Sequence, residues 1–172
     1  NVALGFTWKF GHSTAGVDTA ILYDGATNDQ FYANPGYGVL RGANGEFYNY
    51  AGGFDNLHAF ASSGGNDSAY FYDGVSNDQF IATPEYGILR GQNNEFYLHA
   101  ASFDNISAYS SAGGQDVAYL YDGAGNDLFI GQANYSLMAA QNGSFTNVAL
   151  GFNEVYGLAT QGGSDTANLY DG

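Results

Sequence analysis

A repeat of 49 residues runs through this chain and limits the folds it can adopt. The triplet Tyr-Asp-Gly recurs without drift in its spacing, ending at Gly25, Gly74, Gly123 and Gly172. Three full repeats occupy residues 26–74, 75–123 and 124–172, and residues 1–25 match the second half of another. Repeats of this length build arrays in which each unit packs only on its neighbours. We therefore expect a single repeat domain over residues 1–172, forming part of a longer array.

A weaker echo inside each repeat suggests how the chain winds. The pattern Asp-x-apolar-x-Ala occurs at 29–33 and again 26 residues later at 55–59, and the next repeat carries the same pair at 78–82 and 104–108. Half-repeats of about 24 or 25 residues have the length of one turn of a β-solenoid, which predicts about two rungs per repeat and roughly seven rungs in all. Parallel stacking would then place like residues over like.

The composition favours many short strands over helices. The chain has 26 Gly, two Pro, 15 Tyr and 13 Phe, and no segment shows a helical stripe. The sequence therefore predicts an all-β fold, a parallel β-solenoid of the β-helix or β-roll type, with about five strands in each repeat. In the second repeat the predicted strands are 79–82, 86–90, 95–100, 106–110 and 117–122.

Alternation within the last of these strands predicts which side chains form the core. Ala118 and Leu120 have small or apolar counterparts in every repeat, as an inward face requires. The opposite parity ends in a uniform tyrosine, at Tyr23, Tyr72, Tyr121 and Tyr170. We expect these tyrosines to form a column on the outer surface.

The charge of the chain excludes some partners. Seventeen acidic residues are balanced by only Lys9, Arg41 and Arg90, which gives a formal net charge of -14. We expect no nucleic-acid binding, because the chain has no cationic surface to displace the counterions of a phosphate backbone. We also expect no membrane insertion, because no apolar run is long enough. Cysteine is absent, so disulfides and thiolate metal sites are excluded.

Most of the acidic residues fall in turns, at matching positions of the repeats. Stacked carboxylates with few basic partners repel one another unless cations lie between them. Calcium suits such turns because it takes six to eight oxygen ligands in flexible geometry. The alternative is that Asp, Asn and Gly are simply good turn formers that cap their own backbone. The predicted calcium ligands are Asp18, Asp24, Asn28, Asp29, Asp67, Asp73, Asn77, Asp78, Asp116, Asp122, Asn126, Asp127, Asp165 and Asp171.

One of these turns resembles a known calcium-binding motif. Residues 122–130 read Asp-Gly-Ala-Gly-Asn-Asp-Leu-Phe-Ile. This segment is similar to the nonapeptide Gly-Gly-x-Gly-x-Asp-x-apolar-x of RTX-type calcium-binding β-roll repeats, which belong to large secreted bacterial proteins. Residues 24–32 and 73–81 are looser copies. The resemblance implies a secreted protein that holds calcium between adjacent turns through Asp127 and its equivalents.

Two functions from different classes fit the sequence. The first is a structural repeat segment of an extracellular fibre, adhesin stalk or surface-layer protein, stabilised by calcium and stacking head to tail with itself. The second is a carbohydrate-binding adhesin module that binds polysaccharide on exposed tyrosine columns, with residues 132–146 of the divergent third repeat as the place for a ligand. We expect no enzymatic activity, because no base accompanies a nucleophile and the three His share no repeat position.

Overall fold

The computed structural model describes residues 6–171, and these residues form an all-β structure, as predicted. Each full repeat contributes five strands, and the strands of the second repeat begin and end within two residues of their predicted limits. Residues 6–171 contain no helix that could cross a membrane. The strands are β1 (Trp8–His12), β2 (Thr19–Tyr23), β3 (Asp29–Asn34), β4 (Tyr37–Gly42), β5 (Tyr48–Gly52), β6 (Asn56–Phe60), β7 (Ser68–Tyr72), β8 (Asp78–Ala82), β9 (Tyr86–Gly91), β10 (Tyr97–Ala101), β11 (Asn105–Tyr109), β12 (Val117–Tyr121), β13 (Asp127–Gly131), β14 (Tyr135–Ala140), β15 (Thr146–Leu150), β16 (Glu154–Leu158) and β17 (Thr166–Leu169).

The strands form two sheets that together make a β-solenoid of about four turns. Sheet A has ten strands in the order β1-β5-β4-β3-β7-β11-β15-β14-β13-β17, and sheet B has seven in the order β16-β12-β8-β9-β10-β6-β2. The first three strands of a repeat form an antiparallel meander within one sheet, such as β3–β5 in sheet A. The fourth strand then crosses to the other sheet and the fifth crosses back. The predicted solenoid is therefore confirmed.

The winding differs from the predicted half-repeat rungs. Thr19 pairs in parallel with Asn56, 37 residues later, and Asn56 pairs with Tyr97, a further 41 residues along. A turn is this long when it contains a meander, because the meander adds two strands to the single strand that would otherwise cross the sheet. Equivalent strands of successive repeats also alternate between the sheets, as β3 lies in sheet A and β8 in sheet B. Residues 49 positions apart therefore do not stack on each other.

The core lies between the two sheets, and alternation fills it as predicted. Ala69 and Phe71 of β7, and Ala118 and Leu120 of β12, are completely buried. Four of the largest buried side chains are phenylalanines, at positions 31, 71, 80 and 103. The Phe31 and Phe71 rings meet edge to face, with 6.1 Å between their centroids. Burying such large apolar surfaces is the main force that holds the two sheets together.

The tyrosines predicted to form one column are divided between the sheets. Tyr23 and Tyr121 end strands of sheet B, whereas Tyr72 ends a strand of sheet A. Stacking instead joins tyrosines of paired strands, as in Tyr72–Tyr109, whose centroids are 5.0 Å apart. The prediction of a single column is wrong, because the strands that carry these residues are not neighbours. The outward direction of Tyr23 and Tyr72 is as predicted, and these side chains are 61% and 39% exposed.

Candidate metal sites in the turns between the sheets

The aspartates at the starts of strands form ladders that run from turn to turn. In each pair, the backbone N–H of one residue donates to the side-chain oxygen of the equivalent residue on the next turn. The donor–acceptor pairs are Asp18–Asp55 (2.8 Å), Asp29–Asp67 (2.7 Å), Asp67–Asp104 (2.7 Å), Asp78–Asp116 (2.7 Å), Asp116–Asn153 (2.7 Å) and Asp127–Asp165 (3.0 Å). These bonds satisfy backbone donors where the chain leaves one sheet and enters the other.

The Tyr-Asp-Gly turns at 23–25, 72–74 and 121–123 add a second aspartate to these ladders and form three groups of carboxylates at matching positions. The groups are site 1 (Asp24, Asp29 and Asp67), site 2 (Asp73, Asp78 and Asp116) and site 3 (Asp122, Asp127 and Asp165). In each group the middle aspartate accepts a bond from the glycine of the triplet, at 2.6 Å from Gly25, 2.7 Å from Gly74 and 2.9 Å from Gly123. The same local geometry is therefore built three times.

The sites alternate between the two sides of the solenoid. We call the side where the chain passes from sheet B to sheet A the front, and the opposite side the back. The turn of site 1 joins β2 in sheet B to β3 in sheet A, so site 1 lies at the front. Site 2 joins β7 to β8 at the back, and site 3 joins β12 to β13 at the front. The predicted aspartate columns are thus divided between two sides.

Several carboxylate oxygens in these groups are buried and have no donor. Asp29 and Asp78 are 1% and 2% exposed, and the Oδ1 atom of each has no hydrogen-bond partner among the described residues. Asp24 Oδ1 in site 1 is also a buried atom without a hydrogen-bond partner among the described residues. An unpaired buried carboxylate is costly, so sites 1 and 2 each need either a proton or a cation. These oxygens can therefore bind a proton or a cation from solution.

Both arginines of the chain bond to glutamines and not to the aspartates of the three groups. Arg41 donates from Nη2 to Gln30 Oε1 at 2.9 Å, and its guanidinium lies 5.0 Å from the centre of the Tyr32 ring. Arg90 donates in the same way to Gln79. Both arginines therefore contact side chains of the outer faces, away from the carboxylate groups.

Burial and mutual repulsion raise the pKa values of these carboxyl groups. The pKa of Asp67 rises from 3.8 to about 6, chiefly through burial and then through the charges of Asp29 and its neighbours. The pKa of Asp78 also rises to about 6, again through burial first and then through Asp116 and Asp73. The pKa values of Asp29 and Asp127 are raised for the same reasons. Each group therefore has an unusually high tendency to take up a proton when no cation is bound.

Site 3 has the closest approach to a metal-binding arrangement. One oxygen from each of Asp122, Asp127 and Asp165 lies within 4.8 Å of the other two. Asp122 and Asp127 are buried and Asp165 is exposed. A cation between them would receive oxygen ligands only, which excludes the nitrogen and sulfur ligands that zinc and copper prefer. This group of three aspartates has the donors to hold a metal ion.

The remaining predicted ligands occupy other positions. The Oδ1 atoms of Asn28, Asn77 and Asn126 accept backbone N–H groups of the next turn at 2.8, 2.9 and 2.8 Å, from Asn66, Gln115 and Ser164. These exposed asparagines connect successive turns and lie outside the carboxylate groups. Asp18 belongs to a ladder but to no described group of three, and it accepts a bond from Ser13 Oγ. Asp171 is exposed at the end of the described chain.

Sequence reasoning missed several members of the ladders. Asp55, Asp104 and Asn153 each accept the backbone N–H of a predicted site residue. The half-repeat echo contained Asp55 and Asp104, so a signal for them was present in the sequence. The glutamates Glu46 and Glu95 were also missed, and each accepts a hydroxyl hydrogen bond beside its site, from Thr27 and Ser76 respectively.

The third repeat lacks this glutamate and has an open cleft in its place. Ser144, which lies in the divergent segment 132–146, and Gly125 line a cleft of about 450 Å³ next to Asp127. The corresponding positions of the first repeat hold Glu46 and Thr27, which bond to each other. Site 3 is therefore the most accessible of the three sites to solvent.

Two histidines meet even though their sequence spacing does not match the repeat. His58 and His99 are directly paired in β6 and β10, and their Nδ1 atoms are 3.4 Å apart. Burial lowers the pKa of each ring, and His58 lowers the pKa of His99 further. Aromatic rings of Phe60, Tyr86 and Tyr97 surround the pair, so we assign it to packing on the outer face of sheet B.

Comparison of the chain with protein-family models, curated proteins and solved structures finds no match.

Proposed function

We propose that this chain is a structural repeat segment of an extracellular fibre, adhesin stalk or surface-layer protein, stabilised by calcium in its turns. The observation that carries the proposal is the group of three aspartates at site 3, whose oxygens lie within 4.8 Å of one another. At the matching positions of sites 1 and 2, buried oxygens of Asp24, Asp29 and Asp78 lack donors among the described residues. Calcium is the cation that best suits flexible turns with oxygen ligands only. An extracellular location fits such sites, because calcium sites of extracellular modules bind with dissociation constants of about 10⁻⁴ to 10⁻³ M.

The pairing of strands supports growth by head-to-tail stacking. Inside the molecule, the fifth strand of a repeat pairs in parallel with the fourth strand of the following repeat, as in β2–β6, β7–β11 and β12–β16. Sheet A ends with β17, which is a fifth strand, and begins with β1, which is a fourth strand. The open edge of β17, a fifth strand, would therefore pair in parallel with β1, a fourth strand, of another copy. Such a contact does not close on itself and builds a fibre.

Calcium titration of a calcium-depleted sample tests the proposal. Calorimetry is expected to show binding that involves Asp29, Asp78 and Asp127, and the Tm is expected to rise with calcium because only the folded state brings each group together. Replacing these three aspartates with Asn keeps a side-chain oxygen that accepts the N–H groups of Gly25, Gly74 and Gly123, and it removes the negative charges. Asp171→Asn is the matched control, since Asp171 is exposed. A Tm that calcium leaves unchanged would refute the calcium part of the proposal.

Polysaccharide binding is a second candidate, supported by one groove. Tyr32, Tyr37, Tyr48 and Tyr72 line a depression of about 370 Å³ on sheet A, together with Arg41. Exposed aromatic rings stack on sugar faces, and the guanidinium supplies hydrogen-bond donors. Binding of soluble polysaccharide fragments that is lost in Tyr37→Ala and kept in Tyr119→Ala, a change on sheet B, would support this role.

A further inference from the structure

At one end of sheet A the inner face is only partly covered by sheet B, where Gly157 of β16 lies against Phe129 of β13. Sheet A has ten strands and sheet B seven, and β13 and β17 are the last two strands of sheet A at this end. Leu169 of β17 is 75% exposed, and Ala167 beside it is also exposed. Phe129, Met138 and Ala167 line a depression of about 150 Å³ here. Ala167 and Leu169 of β17 are thus left facing solvent, whereas Met138 is buried and Phe129 is half-buried.

The same strands are covered in the first repeat, and the structure shows what covers them. Phe31 of β3 contacts Phe103, which follows β10, with ring centroids 6.2 Å apart. Phe71 of β7 contacts Phe80 of β8, with centroids 6.4 Å apart. The cover of the first repeat is therefore the meander of the next repeat, β8–β10, in the opposite sheet.

The second repeat follows the same rule. Phe80 of β8 contacts Phe152, which follows β15, with centroids 6.0 Å apart. Leu120 of β12 is completely buried, and β14 and β15 pack against β12. In both repeats the first and fifth strands are thus covered by the three-stranded meander of the repeat that follows. For the third repeat the described residues contain no following meander, so β17 is uncovered and β13 is covered only in part, by Gly157 of β16.

We infer that the inner face of β13 and β17 is a docking surface for the three-stranded meander of a further repeat. The meander would extend sheet B from β16, because the third strand of each repeat pairs with the fourth strand of the repeat before it, as in β6–β10 and β11–β15. Its third strand would bring a phenylalanine equivalent to Phe103 against Phe129. The new interface continues the one that the chain already forms twice.

A complete repeat fits this surface better than the other end of a second copy. Among the described residues, that end presents β1 and β2 and no three-stranded meander beyond them. A second copy stacked through β1 and β17 would extend sheet A and leave β13 and β17 without the meander that covers the equivalent strands of the first two repeats. The inference rests on the proposed function for its setting, an array of repeats, and it specifies which part of the next repeat makes the contact.

Cysteine labelling of a chain extended by one repeat tests the inference. The extension is a second copy of residues 75–123 joined directly after Gly172, and the reporter is Leu169→Cys in a protein that has no other cysteine. The equivalent positions, Phe71 and Leu120, are completely buried. The cysteine is therefore expected to react with iodoacetamide at least roughly 100-fold more slowly in the extended chain than in the original chain.

Matched variants separate docking from unspecific effects of the added residues. Tyr170→Cys, which points outward, should stay reactive in both chains, and Leu120→Cys should stay unreactive in both. An extension whose equivalent of Phe103 is changed to Asp should give little protection. Equal labelling of Leu169→Cys in both chains would overturn the inference. So would an added repeat that stays unfolded by circular dichroism, because the same sequence folds as β8–β12 when such a surface is present.

The rates are measured with and without calcium, which separates this inference from the proposed function. Protection that persists without calcium supports the docking surface even if calcium has no effect on the Tm. A rise in Tm with calcium but without protection of Leu169→Cys overturns the docking surface and leaves the calcium proposal standing.

Discussion

Without calcium, this protein is expected to become less stable as the pH rises from about 4 to 7. The pKa values of Asp67 and Asp78 are raised from 3.8 to about 6, so the folded state binds protons more tightly than the unfolded chain in this range. Such a rise corresponds to about 3 kcal/mol for each group at full effect. Screening by salt and by water at the turns reduces this free energy, and we expect a change in unfolding free energy of about 3 kcal/mol for both groups together over the whole pH range.

Calcium is expected to reverse this dependence. At pH 7.5 the carboxylates are ionised, and a cation at 100 times its dissociation constant adds about 2.7 kcal/mol per site. At pH 5 protons compete for the same oxygens and calcium should have little effect. For a protein of this size 1 kcal/mol shifts the Tm by about 2–4 °C. At pH 5 only about half of the full pKa effect is present, or about 1.5 kcal/mol for both groups together. Calcium-depleted protein should therefore melt roughly 3–6 °C higher at pH 5 than at pH 7.5, and saturating calcium should remove this difference or invert it.

Melts followed by far-ultraviolet circular dichroism at both pH values, with and without calcium, measure the effect. Asp67→Asn with Asp78→Asn imitates the protonated acids and should weaken both responses, whereas Asp171→Asn should keep them. His58 and His99 act in the opposite direction, because burial lowers their pKa values and stability is lost as the pH falls below about 6.5. Replacing both histidines with Gln should therefore enlarge the acid stabilisation. Calcium-depleted wild-type protein that melts lower at pH 5, even with both histidines replaced, would refute the reasoning.

Three further predictions concern packing and activity. Gly114→Ala should cost roughly 1–3 kcal/mol, because Gly114 has φ +99° and a β-carbon there would meet the carbonyl oxygen of Ser76, whereas Gly125→Ala in open space should be close to neutral by chemical denaturation. Phe80→Ala should cost about 3–5 kcal/mol, and Phe129→Ala clearly less in the same assay, since Phe80 is completely buried and Phe129 only partly. Incubation with polysaccharides should release no reducing ends, and turnover abolished by one His or Glu substitution would contradict this.

Local structure could be predicted from the sequence because the pattern that encodes it occurs three times, once in each full repeat. The five strands per repeat, the inward parity of Ala118 and Leu120, and the aspartates in turns all follow from short-range patterns. The strand partners could not be predicted in this way. The echo between Asp29 and Asp55 suggested that these residues stack, but Asp29 bonds to Asp67. Pairing depends on contacts across 37 to 41 residues, and no short pattern records that distance.

The candidate sites show the same division between local and long-range information. Asp24 and Asp29 could be grouped from sequence because they flank one turn. The third member, Asp67, comes from the next turn, and its place depends on the parallel pairing of β3 with β7. The contact between His58 and His99 was missed for the same reason, since their separation of 41 residues matches the pairing of β6 with β10 and not the repeat.

The alternation of the sites follows from the number of times that a repeat crosses between the sheets. The chain crosses before the fourth strand, before the fifth strand and before the first strand of the next repeat. Three is an odd number, so each repeat begins in the sheet opposite to the one before it. Cations bound at successive sites would hold the front and the back of the solenoid in turn, which resists bending in both directions. The same sequence must also serve on both outer faces, so a ligand surface confined to one sheet cannot be written into the repeat itself. Both consequences favour a stiff structural segment over a module with one binding face.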